Sequence, residues 1–302
     1  MDVLSTEQPP GAGRADFVRQ GAAYAGRNWP MVIGCAVLAS FTVGALLAPF
    51  LGLPNPNLVR PGQALLPIFS PGHLLGTDQF GRDLLSRLIW GARISLPLGV
   101  GATLCSLLIG AGVGMTAGYF GGWLEALLMR IIDAVVGFPM ILLAIIIVSM
   151  LGPSATNAVL AIVIAGIPFY ARMNRGLVLQ LRHRHFVQAS LGMGLSQRNI
   201  IRLHILPHLV RPQIVYGTLD VGYKILAMAS LSFLGLGTQP PTADWGNLLA
   251  EGRDVLAQAP QVATVPGIAI ALTVMSFNLI GDWLQDHFDP QYQSSLPIDK
   301  GD

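Results

Sequence analysis

Six apolar runs separated by polar connections dominate this sequence. A helix needs about 20 apolar residues to cross the roughly 30 Å hydrocarbon core of a bilayer, and each run reaches or approaches that length, the fourth being the shortest. The runs cover residues 29–51, 94–118, 128–150, 156–173, 209–235 and 265–284. This pattern predicts an all-α integral membrane protein with six transmembrane helices.

Composition supports a membrane protein. The chain is 52% apolar and 11% charged, with a mean hydropathy of +0.58, whereas about 25% charged residues is typical of soluble domains. Cys35 and Cys105 lie inside apolar runs, where a thiol behaves as a small hydrophobe, so neither a disulfide framework nor a metal cluster is indicated. The first apolar run is too long for the core of a signal peptide, and we expect an uncleaved first span.

The distribution of arginines predicts the orientation of the spans. Residues 172–211 contain seven arginines and no acid, while 151–155 carry no charge and 236–264 have one arginine against three acids. Because Lys and Arg accumulate in cytoplasmic connections, we expect 172–211 to be cytoplasmic and both termini to lie on that side. The loop 52–93 has four arginines on the predicted outer side, but the charge of a long loop counts less.

The spans and loops divide the chain into four parts. We expect a cytoplasmic N-terminal tail at 1–28, a first span with an extracytoplasmic loop at 29–92, a transmembrane domain at 93–282 and a cytoplasmic C-terminal tail at 283–302.

Two outer segments have distinct patterns. Residues 73–93 place several leucines among charges, which predicts an amphipathic segment lying along the membrane surface or on a partner's outer face. Residues 236–246 form a Pro/Gly turn cluster in which Trp245 is predicted at the membrane interface.

The arginine-rich loop contains a pattern of small residues. Ala189, Ser190 and Gly194 would allow another protein to approach one short helix closely. Gly194 and Ser196 are then expected to break the chain and cap a second short helix that ends before Pro207. The pattern predicts a helix–turn–helix on the cytoplasmic surface; an interfacial amphipathic helix is the alternative.

That loop resembles the cytoplasmic coupling loop of ATP-binding-cassette (ABC) importer permeases, in which Glu-Ala-Ala, three residues, Gly, ten residues and Ile-Leu-Pro follow one another. Gln188-Ala189-Ser190, Gly194 and Ile205-Leu206-Pro207 match those spacings, with Gln188 in place of the glutamate. The resemblance implies that the loop 174–208 contacts an ATPase. The residues expected to make or shape this contact are Gln188, Ala189, Ser190, Gly194, Ser196, His204, Ile205 and Pro207.

Further segments resemble the C-type permease of dipeptide, oligopeptide and nickel importers. They are 73–87, 91–96, 231–237, 278–282 and Asp289-Pro290. The resemblance implies a type I ABC importer transmembrane domain in the cytoplasmic (inner) membrane, working by alternating access. Its expected partners are a second homologous permease, two ATPase subunits that use ATP and Mg²⁺, and an extracytoplasmic substrate-binding protein. It allows di- and oligopeptides, glutathione-like peptides, or nickel and its chelates as substrates.

Four charges within or near the spans are candidates for function because charge is costly in hydrocarbon. Asp220 and Lys224 are spaced i, i+4, and Arg130 and Asp133 are spaced i, i+3, so each pair is expected to neutralise itself in a structural role. The alternative is an ion-coupled secondary transporter that uses Asp133, Asp220 and Lys224 as a relay.

The remaining chemistry favours neither a metal site nor an enzyme. His204 and His208 have a spacing that can hold a metal, as do His183 and His185 two residues apart, but all four lie among arginines. The lysines, at 224 and 300, follow Tyr and Asp, so the chain lacks the Gly-Lys-Ser/Thr of a P-loop. We therefore expect a transport subunit that binds no metal or cofactor and leaves ATP hydrolysis to its partners.

Overall fold

The structure is a computed structural model that describes residues 28–288. The predicted tails, except residue 28 and residues 283–288, and Asp289-Pro290 lie outside this range. The helices are α1 (Trp29–Leu47), α2 (Leu84–Phe120), α3 (Gly122–Val136), α4 (Met140–Leu151), α5 (Ala155–Arg182), α6 (His185–Gly192), α7 (Gln197–Ile200), α8 (Leu206–Phe233), α9 (Trp245–Arg253) and α10 (Gln261–Phe288).

The regular structure of residues 28–288 is helical, apart from two isolated β-bridges in the loop after α1. Five helical segments are long and apolar enough to cross a membrane, and the pair α3 and α4 raises the number to as many as six. The predicted all-α membrane class is confirmed.

The third predicted span is not one continuous helix. α3 and α4 meet at 88° across residues 137–139. Pro139 has no N–H to donate and disfavours helical backbone at Phe138, so the helix ends before it. The apolar run predicted as the third span, 128–150, is therefore bent within its length, because an apolar run reports hydrophobicity and not the direction of the helix axis.

The second span begins well before the predicted residue 94. Asp83 caps α2 by accepting a hydrogen bond from the Ser86 N–H at 2.7 Å. Residues 84–93 are therefore the first turns of α2, and His73, Asp78 and Arg82 in the preceding loop are buried. Residues 73–93 are therefore not one amphipathic segment: Asp78, Arg82 and Arg87 are buried in ion pairs with one another and with Glu251.

Helices α2 and α5 form the most extensive helix–helix contact of the fold, and glycines allow their close approach. Gly110, Gly114 and Gly118 are spaced by four residues on one face of α2. A side chain at any of the three would collide with the backbone or Cβ atoms of α5, between Ile167 and Val178. Such small-residue stripes let membrane helices pack backbone to backbone.

The arginine-rich loop continues into α8 without a break. α7 leads into a π-helical segment, Ile201–Ile205, in which the Leu206 N–H donates to the Ile201 carbonyl five residues back. This widened turn precedes Pro207, which sits in the first turn of α8, where a missing N–H is tolerated. The short helix α7 ends at Ile200, before Pro207 as predicted, but Pro207 does not stop the helical backbone, which runs on through Ile201–Ile205 into α8.

Trp245 is buried rather than interfacial. It lies at the start of α9 with no exposed surface. Its indole N–H donates to the Leu88 carbonyl at 2.9 Å, and its backbone N–H donates to the Ser95 hydroxyl at 3.1 Å. Both partners are on α2, so α9 is held against the first turns of that helix.

Candidate coupling surface and charge pairs

The segment from α6 to α7 is a compact helix–turn–helix. Gly194 has φ of +77°, a conformation that glycine adopts without strain, and reverses the chain after α6. The Ser196 hydroxyl accepts a hydrogen bond from the Asn199 N–H at 3.4 Å and caps α7. These two residues occupy the breaking and capping positions that the sequence predicts for them.

The buried side of this segment fixes it to the transmembrane helices. Val187, Ile200 and Ile205 pack with Tyr119 of α2 and Val178 of α5 in one apolar cluster. Ser190 is buried too; its hydroxyl donates to the Phe186 carbonyl at 2.8 Å and lies 3.3 Å from His204 Nε2.

The opposite side of the segment is open, and its exposed residues form the candidate coupling surface. Gln188, Ala189, Gly194, Ser196 and Pro207 are exposed. Among the apolar residues beside them, Met193 is 72% exposed, and Leu191, Leu203 and Leu206 are also exposed. Of the eight predicted coupling residues, five therefore face outward, Ser190 and Ile205 belong to the anchoring side, and His204 is half-buried.

Gln188 makes a contact that sequence reasoning missed. Its Nε2 donates to the Arg182 carbonyl at 2.8 Å, at the last turn of α5. A glutamate at this position has no N–H and cannot make this bond while ionised. The amide therefore ties α6 to the end of α5.

Asp220 and Lys224 lie together between α5 and α8. The Lys224 ammonium is 3.9 Å from Asp220 Oδ2 and donates to the Ile162 carbonyl at 3.3 Å. The Tyr170 hydroxyl donates to the same Asp220 oxygen at 2.9 Å. The Lys224 side chain packs against α5 at Gly166. A side chain on residue 166 would overlap the Lys224 ammonium group.

Asp133 forms its ion pair with a residue of another helix. Its Oδ1 accepts from Arg172 Nη2 of α5 at 2.7 Å, whereas the expected pairing was with Arg130. One turn further along α5, Arg175 Nε donates to Glu125 Oε1 at 2.6 Å. Within residues 28–288, Arg130 forms no ion pair. Because the partners are 39 and 50 residues apart, local spacing does not reveal them.

A second set of charges, the Glu251 cluster, consists of Asp78, Arg82, Arg87 and Glu251. Arg82 Nε lies 2.6 Å from Asp78 Oδ2, while Arg82 Nη2 and Arg87 Nη2 lie 2.7 Å and 3.0 Å from Glu251 Oε2. Burial raises the pKa of Glu251, while the attraction of Arg87 and then Arg82 acts in the opposite direction. The cluster joins the loop before α2, the first turns of α2 and α9.

The histidines of the loop do not converge. His183 and His185 are exposed, and His208 donates from Nδ1 to the His204 carbonyl at 2.7 Å while stacking on Phe186. Within the part of the chain that the structure describes, no group of three His, Cys, Asp or Glu residues could hold a metal ion.

The sequence is similar to those of known transport proteins. The sequence model of the family described as "Binding-protein-dependent transport system inner membrane component" matches residues 84–294. The "Dipeptide transport system permease protein DppC" of Alkalihalophilus pseudofirmus is 41% identical over 268 residues, which cover 89% of this chain and 88% of that protein. The "Glutathione transport system permease protein GsiD" of Pectobacterium atrosepticum is 44% identical over 225 residues, covering 74% and 75%.

A solved structure shares the fold. A chain of the MetNI methionine ABC transporter in an inward-facing conformation superposes with a TM-score of 0.55 at 18% identity, over 67% of this chain and 95% of that one.

Proposed function

This chain belongs to the family of binding-protein-dependent transport system inner membrane components, and we propose that it is the permease subunit of an ABC importer for short peptides. The proposed substrates are di- and oligopeptides or glutathione-like peptides. Relatives named for dipeptide and glutathione transport support this class of substrate. The importer would lie in the inner membrane with both termini of this chain in the cytoplasm.

The observation that carries this proposal is the exposed face of the α6–α7 segment. Small residues at Ala189 and Gly194 lie beside the exposed apolar side chains Leu191 and Met193, while the other side of the segment is buried against α2 and α5. A short helix that exposes apolar side chains is suited to enter a groove of another protein. We assign that groove to an ATPase subunit, which would hydrolyse ATP with Mg²⁺.

The proposed assembly has two permeases, two ATPases and an extracytoplasmic binding protein. This chain and a second, homologous permease would each hold one ATPase through an α6–α7 segment. When the ATPases close on ATP, they would bring the two segments together. Because α5 and α8 emerge from the two ends of that segment, the motion would reach the spans and convert an inward opening to an outward one.

The charges give less support to an ion-coupled transporter. Its proposed relay needs a path between Asp133, Asp220 and Lys224. Asp133 instead pairs with the half-exposed Arg172, while Asp220 and Lys224 pair with each other and with groups of α5. We therefore place ATP-driven transport ahead of an ion relay.

Reconstitution tests this proposal directly. The permease pair, the ATPases and the binding protein would be placed in proteoliposomes. Uptake of labelled dipeptide or glutathione would then be measured with ATP and Mg²⁺ on the side of the membrane that corresponds to the cytoplasm. We expect uptake to require ATP and to persist when a protonophore collapses the proton gradient. Uptake that follows the gradient without ATP would instead support the ion-coupled transporter.

A further inference from the structure

Helix α3 is weakly fixed by its own backbone and apolar contacts. Gly121 and Gly122, with φ of +69° and +60°, join it to α2, and the break at 137–139 joins it to α4. Along its length Ile132 is the single buried residue. Apolar side chains on its other faces, including Trp123 and Ile131, are exposed in the isolated chain. Buried apolar packing within this chain therefore holds α3 only weakly against the bundle.

Two ion pairs, here called the α3–α5 clamp, supply that restraint. The clamp consists of Glu125 with Arg175 and Asp133 with Arg172, at 2.6 Å and 2.7 Å. Glu125 and Asp133 are eight residues apart, close to two helical turns, so they project from one face of α3. Arg172 and Arg175 are one turn apart on α5. A single exposed ion pair contributes little to stability, but two separated pairs define both the position and the rotation of a helix.

The clamp lies on the part of α5 that leads to the coupling surface. Pro168 interrupts the hydrogen-bond ladder of α5, and both arginines lie beyond it on the side of α6. Two residues separate the end of α5 from α6, and the Gln188 amide ties α6 to the Arg182 carbonyl at 2.8 Å. A displacement of α6 would therefore reach the last turns of α5 and, through the clamp, α3.

We infer that Glu125, Asp133, Arg172 and Arg175 are positioning residues for transport, which make α3 move as one body with the end of α5 and the coupling surface. The inference rests on the proposed function. Movement of α3 would in turn reorient α4 across the 88° bend, so the clamp would convert docking motion into a change in the transmembrane region. Without the clamp, ATP hydrolysis would proceed, but it would move α3 and α4 less.

Charge exchange tests the clamp in the reconstituted importer. Glu125→Arg and Arg175→Glu should each lower the peptide transported per ATP hydrolysed by about tenfold, equivalent to about 1.4 kcal/mol of coupling, and the double exchange should restore most of it. Arg130→Glu, also on α3 but outside the clamp, is the matched control and should transport normally. Single variants that assemble with the ATPases and keep the wild-type ratio would overturn the inference.

A distance measurement keeps the test independent of transport. Spin labels at Ala126→Cys on α3 and Gln180→Cys on α5, both exposed positions, would be placed in a chain whose Cys35 and Cys105 are replaced by Ser. We expect a narrow distance distribution with and without ATP, and a broad one when Glu125→Gln and Asp133→Asn are added. A distribution that stays narrow after neutralisation would overturn the clamp. If the labels behave as expected but wild-type uptake does not need ATP, the proposed function fails and the clamp stands.

Discussion

The ammonium group of Lys224 lies 3.9 Å from Asp220 Oδ2, one helical turn away on α8, and the Lys224 side chain is 1% exposed. Its other contact is the Ile162 carbonyl of α5, and Tyr170 of the same helix donates to Asp220. The pair is thus shared between two helices, which gives it a role in assembling the bundle.

Neutralising one member of this pair should reduce the amount of folded protein. A lone charge at the centre of a bilayer helix costs about 2.5–3.5 kcal/mol on insertion scales, so Asp220→Asn or Lys224→Gln alone should lower the abundance of the assembled complex severalfold. The double variant should recover most of the abundance and keep ATP-driven uptake. Tyr170→Phe is a control that removes one hydrogen bond and no charge. A double variant that assembles normally but does not transport would point to a proton relay.

Replacing Gly194 with Leu should block docking of the ATPase and leave membrane insertion intact. A non-glycine residue at φ near +77° costs about 1–2 kcal/mol, and the added bulk would stand on the exposed tip of the segment. Gly194→Asn tolerates this backbone conformation better and should lose less. Co-purification with the ATPases measures the effect; a Leu variant that co-purifies and transports like the wild type would show that this turn is not the contact.

The glycine stripe of α2 predicts a difference between two neighbouring substitutions. A side chain at Gly114 would collide with the Ala171 carbonyl, whereas one at Gly112 would meet nothing within 4 Å. Because overpacking costs about 1–3 kcal/mol even where side chains can shift, Gly114→Leu should lower the thermal unfolding temperature in detergent, and Gly112→Leu should not. Equal unfolding temperatures would mean that α2 and α5 do not pack this closely.

Removing Glu251 should destabilise the protein more than removing an exposed acid. Glu251→Ala leaves Arg82 and Arg87 buried with Asp78 as their remaining partner in the cluster, and breaking a buried ion pair costs about 3–5 kcal/mol. Asp254→Ala, which removes an exposed pair with Arg253, is the control. Thermal unfolding of the two variants in detergent compares them, and similar small losses would show that the Glu251 cluster adds little.

Topology can be read from two exposed alanines. Under the proposed orientation, Ala64→Cys should react with a membrane-impermeant thiol reagent in cells whose outer envelope has been opened. Ala189→Cys, on α6, should react only after the inner membrane is broken, in cells that lack the ATPase subunits proposed to cover it. Both variants would carry Ser in place of Cys35 and Cys105. The reverse labelling pattern would invert the topology.

The sequence by itself determined the class of this protein. Transfer of about 20 apolar residues into a bilayer is a local property that sums along the chain, so the spans and their membrane setting follow from composition. The turn at Gly194 and the cap at Ser196 were also predictable, because backbone conformation and capping depend on a few adjacent residues. The long motifs of residues 73–290 indicated the family, because they can be read directly from the sequence and occur in a fixed order.

Only the tertiary structure decided which charges meet. Asp133 pairs with Arg172 instead of its neighbour Arg130, and Glu251 pairs with Arg82 from 169 residues earlier in the chain. Such pairs depend on the packing of whole helices, which the glycines of α2 and the bend between α3 and α4 control. Trp245 is buried for the same reason: its amphipathic ring suits an interface, but the fold offers it hydrogen-bond partners inside, on α2.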